Sequence, residues 1–302
     1  FEQAGTLGHA RARFNAGVAY ATGRGVVRDD ARAAHWFSEA AATNDAPTLL
    51  ALARLRETGP PGVGDAAEAI RLYKRAADLG HPPAQHQYAL ALAVGVGGRS
   101  DPAAAFALMR RVAEGGYDAA QLSYGDMHAA GIGTAANAGE AVRWYGLAAV
   151  AGNPAAQLKY ANAYFTGTGV ERDLATAYGW YQRAARQGDA EAMYLLGIFH
   201  AGGVAGPRDP KQAYKWFLVS EARGFTRANA VRAATAGQLG ARERRAAEAE
   251  AAAFVAVPER PGDVAAATPG PAAPGPAASV PAGPVTTAPA QSTTQPTMQP
   301  AA

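Results

Sequence analysis

The stretch AQLKYANAYFTGTGVERDLATAYGWYQRAARQG, residues 156–188, contains one copy of a unit that recurs along the chain. Its first half places apolar residues at intervals typical of one helix face, namely Ala156, Tyr160, Ala161 and Tyr164. Its second half does the same, with Ala177, Trp180, Tyr181, Ala184 and Ala185. The unit is therefore predicted to be a pair of amphipathic helices.

The segment between the two predicted helices has the residues that a chain reversal needs. Gly167 can adopt the left-handed backbone that ends a helix. Asp173 is placed to cap the second helix, because its carboxylate can accept an unpaired backbone N–H. The matching residues Asp101 and Asp209 precede prolines, which are favoured at the first helical position. We therefore predict a helical hairpin.

The end of the second helix has its own signal. Gly188 stands where a left-handed residue would close the helix, and Asn44 occupies the same position in another copy. Asparagine is the other residue that tolerates this backbone, so we expect Asn44 to serve as Gly188 does.

Several positions repeat with a period of 36 residues. The period is carried by the signature residues Gly23, Trp36, Ala69, Asp101, Gly131, Trp144, Gly167, Asp173, Trp180 and Trp216. Leu72 and Leu108 fill the two remaining tryptophan positions, and Asn137 stands in the aspartate series. Such self-similarity predicts an all-α fold, an α-solenoid of stacked helical hairpins with about six full repeats.

The repeat register divides the chain into four parts. Residues 1–9 match only the second helix of a repeat, so we expect sequence upstream of Phe1 to be missing. Residues 10–225 form six repeats, of which the second is degenerate around Gly59. Residues 226–257 are predicted to be alanine-rich, charged capping helices. Residues 258–302 are rich in Pro, Ala and Thr and are predicted to be a disordered tail.

Composition excludes several kinds of chemistry. The chain has no cysteine, which rules out disulfides, thiolate zinc sites and a cysteine nucleophile. Its net charge of +3 is mild, and the basic residues form no long run, so we predict no nucleic-acid partner. No apolar run reaches the roughly 18 residues of a transmembrane segment.

No group of residues has the spacing of a catalytic or metal site. The six histidines form no HExxH motif, and His128 and His200 occupy a position that holds tyrosine in two other repeats, so we expect them to pack between helices. The Gly-x-Gly loops lack the Lys-Ser/Thr of a phosphate-binding loop and are interpreted as turns. The aspartate series is interpreted as helix caps. We predict no enzyme activity, no cofactor and no metal.

The first helices also predict a binding face. Opposite the core stripe, two series of positions mix apolar, polar and charged residues, and these are expected to line the concave side of the solenoid. The candidate partner-binding residues are Arg54, His86, Leu90, Asp126, Leu158, Asn162, Phe165, Tyr194 and Ile198. The alternative is that they pack against the first helix of the neighbouring repeat, and the sequence leaves both interpretations open.

The pattern of residues 156–188 resembles the Sel1-like repeat, a relative of the tetratricopeptide repeat. The middle segment Thr168-Gly169-Val170-Glu171-Arg172-Asp173 is particularly similar, and the resemblance covers about residues 1–255. It implies a right-handed superhelix that acts as an adaptor or scaffold. Some cysteine-rich relatives are associated with β-lactam hydrolysis, and this chain lacks those cysteines.

These observations predict a non-enzymatic scaffold that binds a protein or peptide through its concave face. From the resemblance we expect bacterial signalling or envelope-associated regulation, with the periplasm or envelope favoured over the cytoplasm. The alternative is an accessory protein that contacts the cell wall or another glycan through tyrosine and tryptophan. A β-lactam-hydrolysing enzyme is a distant third hypothesis.

Overall fold

The computed structural model describes residues 1–59, 63–204 and 206–259. Within these residues the secondary structure is entirely helical, with fifteen helices and no strand. The helices are α1 (Glu2–Thr6), α2 (Ala10–Thr22), α3 (Asp30–Ala42), α4 (Ala46–Thr58), α5 (Ala66–Asp78), α6 (Pro82–Val94), α7 (Pro102–Glu114), α8 (Asp118–Ala130), α9 (Ala138–Val150), α10 (Pro154–Thr166), α11 (Leu174–Arg186), α12 (Ala190–Gly202), α13 (Pro210–Ala222), α14 (Ala228–Ala236) and α15 (Ala241–Ala252). Of the predicted disordered tail, residues 258–302, the structure describes Pro258 and Glu259, and Glu259 lies against the solenoid through hydrogen bonds to Gln187 and Arg183. The remainder of the tail, from residue 260 onward, lies outside the described residues.

Helices α2 to α13 form six hairpins, which confirms the predicted all-α solenoid. Each of these helices has 13 residues. From α2 to α12, each even-numbered helix packs against the next helix, which completes its hairpin, and against the helix that precedes it. Each hairpin therefore buries its apolar faces on both sides, which is how a solenoid is stabilised without a central core.

The repeated alanines and aromatic residues fill the space between the helices. Ala177 and Tyr181 are fully buried on α11, and the Trp180 side chain packs edge-on against Tyr160 of α10, with ring centroids 5.3 Å apart. Tyr124 and Trp144 form the same kind of contact one repeat earlier, at 4.9 Å. Alanine allows close helix approach, and the large rings occupy the volume that remains.

The predicted helix caps are present. The side chain of Asp101 accepts a hydrogen bond from the Ala104 backbone N–H at 2.9 Å, and Asp173 caps α11 in the same way. Gly167 adopts a left-handed conformation, with φ of 76°. Gly169 is also left-handed, and a side chain there would clash with the Ala138 carbonyl, because this loop lies against the start of the preceding α9.

Two residues of the repeat pattern differ from their counterparts. The prediction that Asn44 would take a left-handed conformation is wrong, because no described non-glycine residue has a positive φ. Its side-chain oxygen instead accepts a hydrogen bond from Arg75 at 3.1 Å. Gly59 is extended rather than left-handed, with φ of −69° and ψ of 158°. Proline follows Gly59, and a residue before proline is restricted to extended conformations.

The C-terminal helices cover the last repeat. Tyr214 of α13 packs with Leu239, just before α15, and with Ala247 of α15. These contacts hold α15 against the solenoid. Lys211 of α13 also forms an ion pair with Glu250 of α15 at 2.6 Å. After α15 the chain leaves the helical region and runs without regular structure to Glu259.

Candidate functional site

The nine predicted binding residues lie on the first helices of their repeats. Arg54 is exposed on α4, and His86 is buried on α6. The other seven are half-buried, so each is in contact with both the protein and solvent. The structure brings some of these residues together in two depressions on the first-helix face.

The first depression lies between α4, α6 and α8 and has a volume of about 380 Å³. It brings Leu90 of α6 and Asp126 of α8 together, with an apolar lining that includes Val94, Met127 and Ile132. Glu57 of α4 also lines it. This depression therefore combines an apolar surface with two carboxylates.

Asp126 has a structural role besides its place in the depression. Its Oδ1 atom accepts hydrogen bonds from the Tyr145 hydroxyl at 2.7 Å and from Lys159 Nζ at 2.8 Å. Burial raises the pKa of Tyr145 well above its ordinary value, and the hydrogen bond to Asp126 raises it further. Asp126 therefore joins α8 to both α9 and α10, while remaining accessible at the surface.

The second depression lies one repeat further along and has a volume of about 240 Å³. Asn162 and Lys159 of α10 line it, together with Val142, Tyr145 and the exposed Thr166. Asn162 Oδ1 accepts a hydrogen bond from the Tyr181 hydroxyl at 2.6 Å. Asn162 thus occupies in its repeat the structural position that Asp126 occupies in the preceding one.

His86 is a core residue rather than a surface ligand. Its Nε2 atom is hydrogen-bonded to Ser123 Oγ at 2.9 Å, and its ring meets Tyr117 edge-on at 5.7 Å. Burial lowers the pKa of His86 to about 4, and the positive charge of Arg54 contributes to the shift. The imidazole is therefore neutral at physiological pH.

The remaining predicted residues contribute mainly to packing. Leu158 and Phe165 pack against the largest buried cluster, and Phe165 lies 5.5 Å from Phe199 between ring centroids. Tyr194 and Ile198 pack against the cluster of Ala213, Phe217 and Ala228. Because each is half-buried, packing between repeats and contact with a partner are both compatible with their positions.

The two histidines that replace tyrosine pack between helices, as predicted. His128 meets Phe106 and Tyr124 edge-on, with ring centroids at 5.2 and 4.7 Å. His200 Nε2 lies 3.2 Å from the Tyr178 hydroxyl. Burial lowers the pKa of both histidines. In the described part of the chain, no three His, Cys, Asp or Glu side chains form a group that could hold a metal ion.

Sequence reasoning missed two charged residues of the depressions, Glu57 and Lys159. Helical spacing could have identified both residues. Glu57 is three residues after Arg54, and Lys159 is three residues before Asn162, so each shares a helix face with a residue that was selected. No helix among the described residues is both long and apolar enough for a membrane span.

Comparison with known proteins identifies the repeat. The Sel1 repeat family model matches six consecutive segments, residues 10–45, 46–81, 82–117, 118–153, 154–189 and 190–224. The crystal structure of a Sel1 repeat protein from Oxalobacter formigenes is similar, with 26% sequence identity and a TM-score of 0.60. The match covers 70% of this chain and 85% of that one. A search of curated proteins found no match.

Two other solved structures are more distant. One is c5321, a protective antigen of uropathogenic Escherichia coli with an SLR fold, at 25% identity and a TM-score of 0.39. That match covers 83% of this chain and 63% of the antigen. The other is the immunity protein Pa5087 of Pseudomonas aeruginosa, at 19% identity and a TM-score of 0.47, covering 71% of this chain and 81% of that one.

Proposed function

This chain belongs to the Sel1 repeat family, and on that premise we propose that it is a non-enzymatic scaffold that binds a protein or peptide on its first-helix face. Sel1 repeat proteins are generally protein-interaction scaffolds, and the fold is typically non-enzymatic. The proposal is supported above all by the two depressions, which lie on the same face of consecutive repeats and combine apolar surface with charged groups.

The chemistry of the depressions indicates what the partner would present. The first depression offers the carboxylates of Glu57 and Asp126 beside Leu90 and Ile132. A segment with an apolar side chain followed by a lysine or arginine would match this combination. The second depression offers an apolar surface beside the Lys159 ammonium and the Asn162 amide. The two depressions would thus bind successive parts of one partner segment.

The proposal is tested by blocking both depressions without altering the core. Val94 and Thr166 occupy the same repeat position, are exposed, and line the first and second depressions respectively. The variant V94R/T166R would fill both openings with arginine. The matched control is A107R, an exposed position on the second helix α7. Crosslinking and affinity capture with the full chain would identify a partner, and titration with that purified partner would measure binding.

We expect A107R to bind as the wild type does and V94R/T166R to bind at least about tenfold more weakly, a loss of about 1.4 kcal/mol. Equal affinity of all three proteins would refute the assignment of the first-helix face. Binding to purified cell-wall material alone, with no protein captured, would favour the glycan alternative. We also propose a location at the bacterial envelope, which cell fractionation would test.

A further inference from the structure

The chain after α15 turns back and crosses the turns that connect consecutive repeats. Phe254 packs edge-on against Trp216 of the sixth repeat, with centroids 5.7 Å apart, and the Arg223 guanidinium lies over the Phe254 ring at 5.4 Å. Ala256 then passes close to Gly188. Glu259 lies beside Gly152, one further turn back. The segment 254–259 therefore runs against the direction of the repeats, along the edge that these turns form.

Backbone hydrogen bonds hold this segment in register. The Val257 N–H donates to the Arg186 carbonyl at 2.8 Å. The Glu259 N–H donates to Gln187 Oε1 at 3.1 Å. Pro258 lies between them and has no N–H to satisfy. The segment is therefore bound as an extended peptide, through its main chain as well as its side chains.

The Glu259 carboxylate fills a polar site formed by the fifth repeat. Arg183 donates from Nε to Glu259 Oε1 at 3.1 Å and from Nη2 to Oε2 at 3.0 Å, and Gln157 Nε2 donates to Oε2 at 2.7 Å. The Arg183 side chain is 7% exposed and that of Glu259 is 15% exposed. Two parallel bonds from a guanidinium to a carboxylate select for that planar group.

The polar side chains of this site also hold one another in position. Gln187 Nε2 donates to Gln157 Oε1 at 2.9 Å and to the Gly152 carbonyl at 2.8 Å. The Arg183 guanidinium lies over the Trp180 ring at 5.0 Å. The donors are thus oriented by contacts within the solenoid, so part of the ordering cost is already met before a carboxylate binds.

The complete set of residues occurs in one repeat only. At the position of Arg183 the other repeats hold Glu39, Arg75, Arg111, Leu147 and Val219. At the position of Gln187 they hold Thr43, Leu79, Gly115, Ala151 and Arg223. No other repeat combines arginine, glutamine and glutamine at these three positions, so the repeat pattern by itself does not account for the site.

We propose that Gln157, Arg183 and Gln187 form a recognition site for an acidic residue in an extended partner peptide, and that the chain's own segment 254–259 is its resident competitor. The resident segment serves as the template for the partner. It presents an aromatic residue, a backbone that donates N–H groups, and a glutamate at the end. This site lies at the turns between repeats, so it is independent of the proposed binding through the first-helix face.

A partner peptide can bind at this site only if it displaces the resident segment 254–259. The resident segment is tethered, so it competes at a high effective concentration and a free peptide binds weakly to the wild type. Removing the Glu259 charge takes away the bidentate partner of Arg183 and opens the site to an added carboxylate. A partner that carries such a segment would gain access once the resident segment is displaced.

The test uses a fluorescent peptide with the sequence AFVAVPE, which copies residues 253–259, and the full-length protein. Binding is measured by fluorescence anisotropy for the wild type, E259Q, E259Q/R183Q and E259Q/R111Q. Arg111 occupies the same repeat position as Arg183, is exposed, and belongs to a repeat that lacks the second glutamine, so R111Q is the matched control. Thermal unfolding followed by circular dichroism would check that each variant is folded.

We expect E259Q to bind the peptide at least about tenfold more tightly than the wild type does. R183Q should remove most of that gain, whereas R111Q should leave it unchanged. A second peptide, AFVAVPQ, should bind E259Q about tenfold more weakly than AFVAVPE, and this comparison does not depend on the R183Q variant being folded. Equal affinity of wild type and E259Q for AFVAVPE, or equal affinity of E259Q for the two peptides, would overturn the proposal.

Discussion

The Asp126 carboxylate accepts a hydrogen bond from the Tyr145 hydroxyl at 2.7 Å, across the two helices of one hairpin. One repeat later, Tyr181 donates to Asn162 in the same way, at 2.6 Å. The polar residues of the first-helix face therefore anchor the buried tyrosine of the following helix. Their presence on this face has a structural cause, whether or not a partner also contacts them.

Removing the tyrosine hydroxyl should destabilise the hairpin. We expect Y145F to lower the free energy of unfolding by about 1 kcal/mol, because a hydrogen bond to a half-buried carboxylate is lost. D126N should cost less, since an amide oxygen accepts the same bond from Tyr181 in the next repeat. Urea denaturation of the three proteins would measure both effects. A Y145F variant as stable as the wild type would show that this bond adds nothing to stability.

Two helical glycines should respond oppositely to alanine. A Cβ atom at Gly197 of α12 would lie 2.3 Å from the buried Phe217 ring, whereas one at Gly179 of α11 would meet nothing within 4 Å. We expect G197A to cost about 1–3 kcal/mol through overpacking. G179A should be neutral or stabilising by up to about 1 kcal/mol, because alanine favours helix. Melting temperatures would decide, and the prediction fails if G197A melts no lower than G179A.

The buried His86 should make stability depend on pH. Its folded pKa is about 4 and its ordinary pKa is 6.5, so between these values the unfolded chain binds a proton that the folded chain does not. The contribution of His86 to stability should therefore be constant above pH 7 and should fall as pH drops from 6.5 toward 4, by up to about 3 kcal/mol. The comparison variant is H86L, because leucine occupies this position in three other repeats.

The stability of wild type relative to H86L would be measured by denaturation at several pH values. The subtraction removes the contributions of His128 and His200, which titrate in both proteins. A difference in stability that stays constant between pH 7 and pH 4 would contradict the assignment of a depressed pKa to His86.

Removing the helix cap at Asp101 should lower the stability of the protein. Its side chain accepts the Ala104 N–H at 2.9 Å at the start of α7. We expect D101A to lower the free energy of unfolding by about 1 kcal/mol, and D101N to change it by only a few tenths, since asparagine caps nearly as well. Chemical denaturation would measure both. Equal losses in the two variants would point to the charge rather than the cap.

Structural features that depend on residues within one repeat could be predicted from the sequence, except at two positions. The hairpins, the aspartate caps and the loop glycines were predictable because each is encoded within a single 36-residue unit that recurs along the chain. Asn44 did not adopt the left-handed conformation of its glycine counterparts. Asparagine tolerates that conformation but does not require it, and the Asn44 side chain accepts a hydrogen bond from Arg75 instead. Gly59 differs because proline follows it.

The candidate surfaces could be predicted only in part. Helical spacing placed Leu90, Asp126 and Asn162 on one face, and the structure places them in the two depressions. Helical spacing could not show that His86, on the same face, is buried. Its burial depends on contacts with Ser123 of α8 and with Tyr117 in the turn before α8. Side-chain burial is a property of neighbouring elements, which the periodicity of one helix does not contain.

By itself, the sequence determined the period, the helix boundaries and the family, because these arise from local backbone preferences and from the amphipathic spacing of each helix. Only the tertiary structure decided that Glu259 meets Arg183, 76 residues away. That contact depends on how the repeats stack and on where the turns between them lie. Glu259 follows a proline at the start of the segment predicted to be a disordered tail, so it carries no local signal of its partner. Stacking brings the two side chains together because it aligns the turns of three repeats into one edge along which the returning chain can lie.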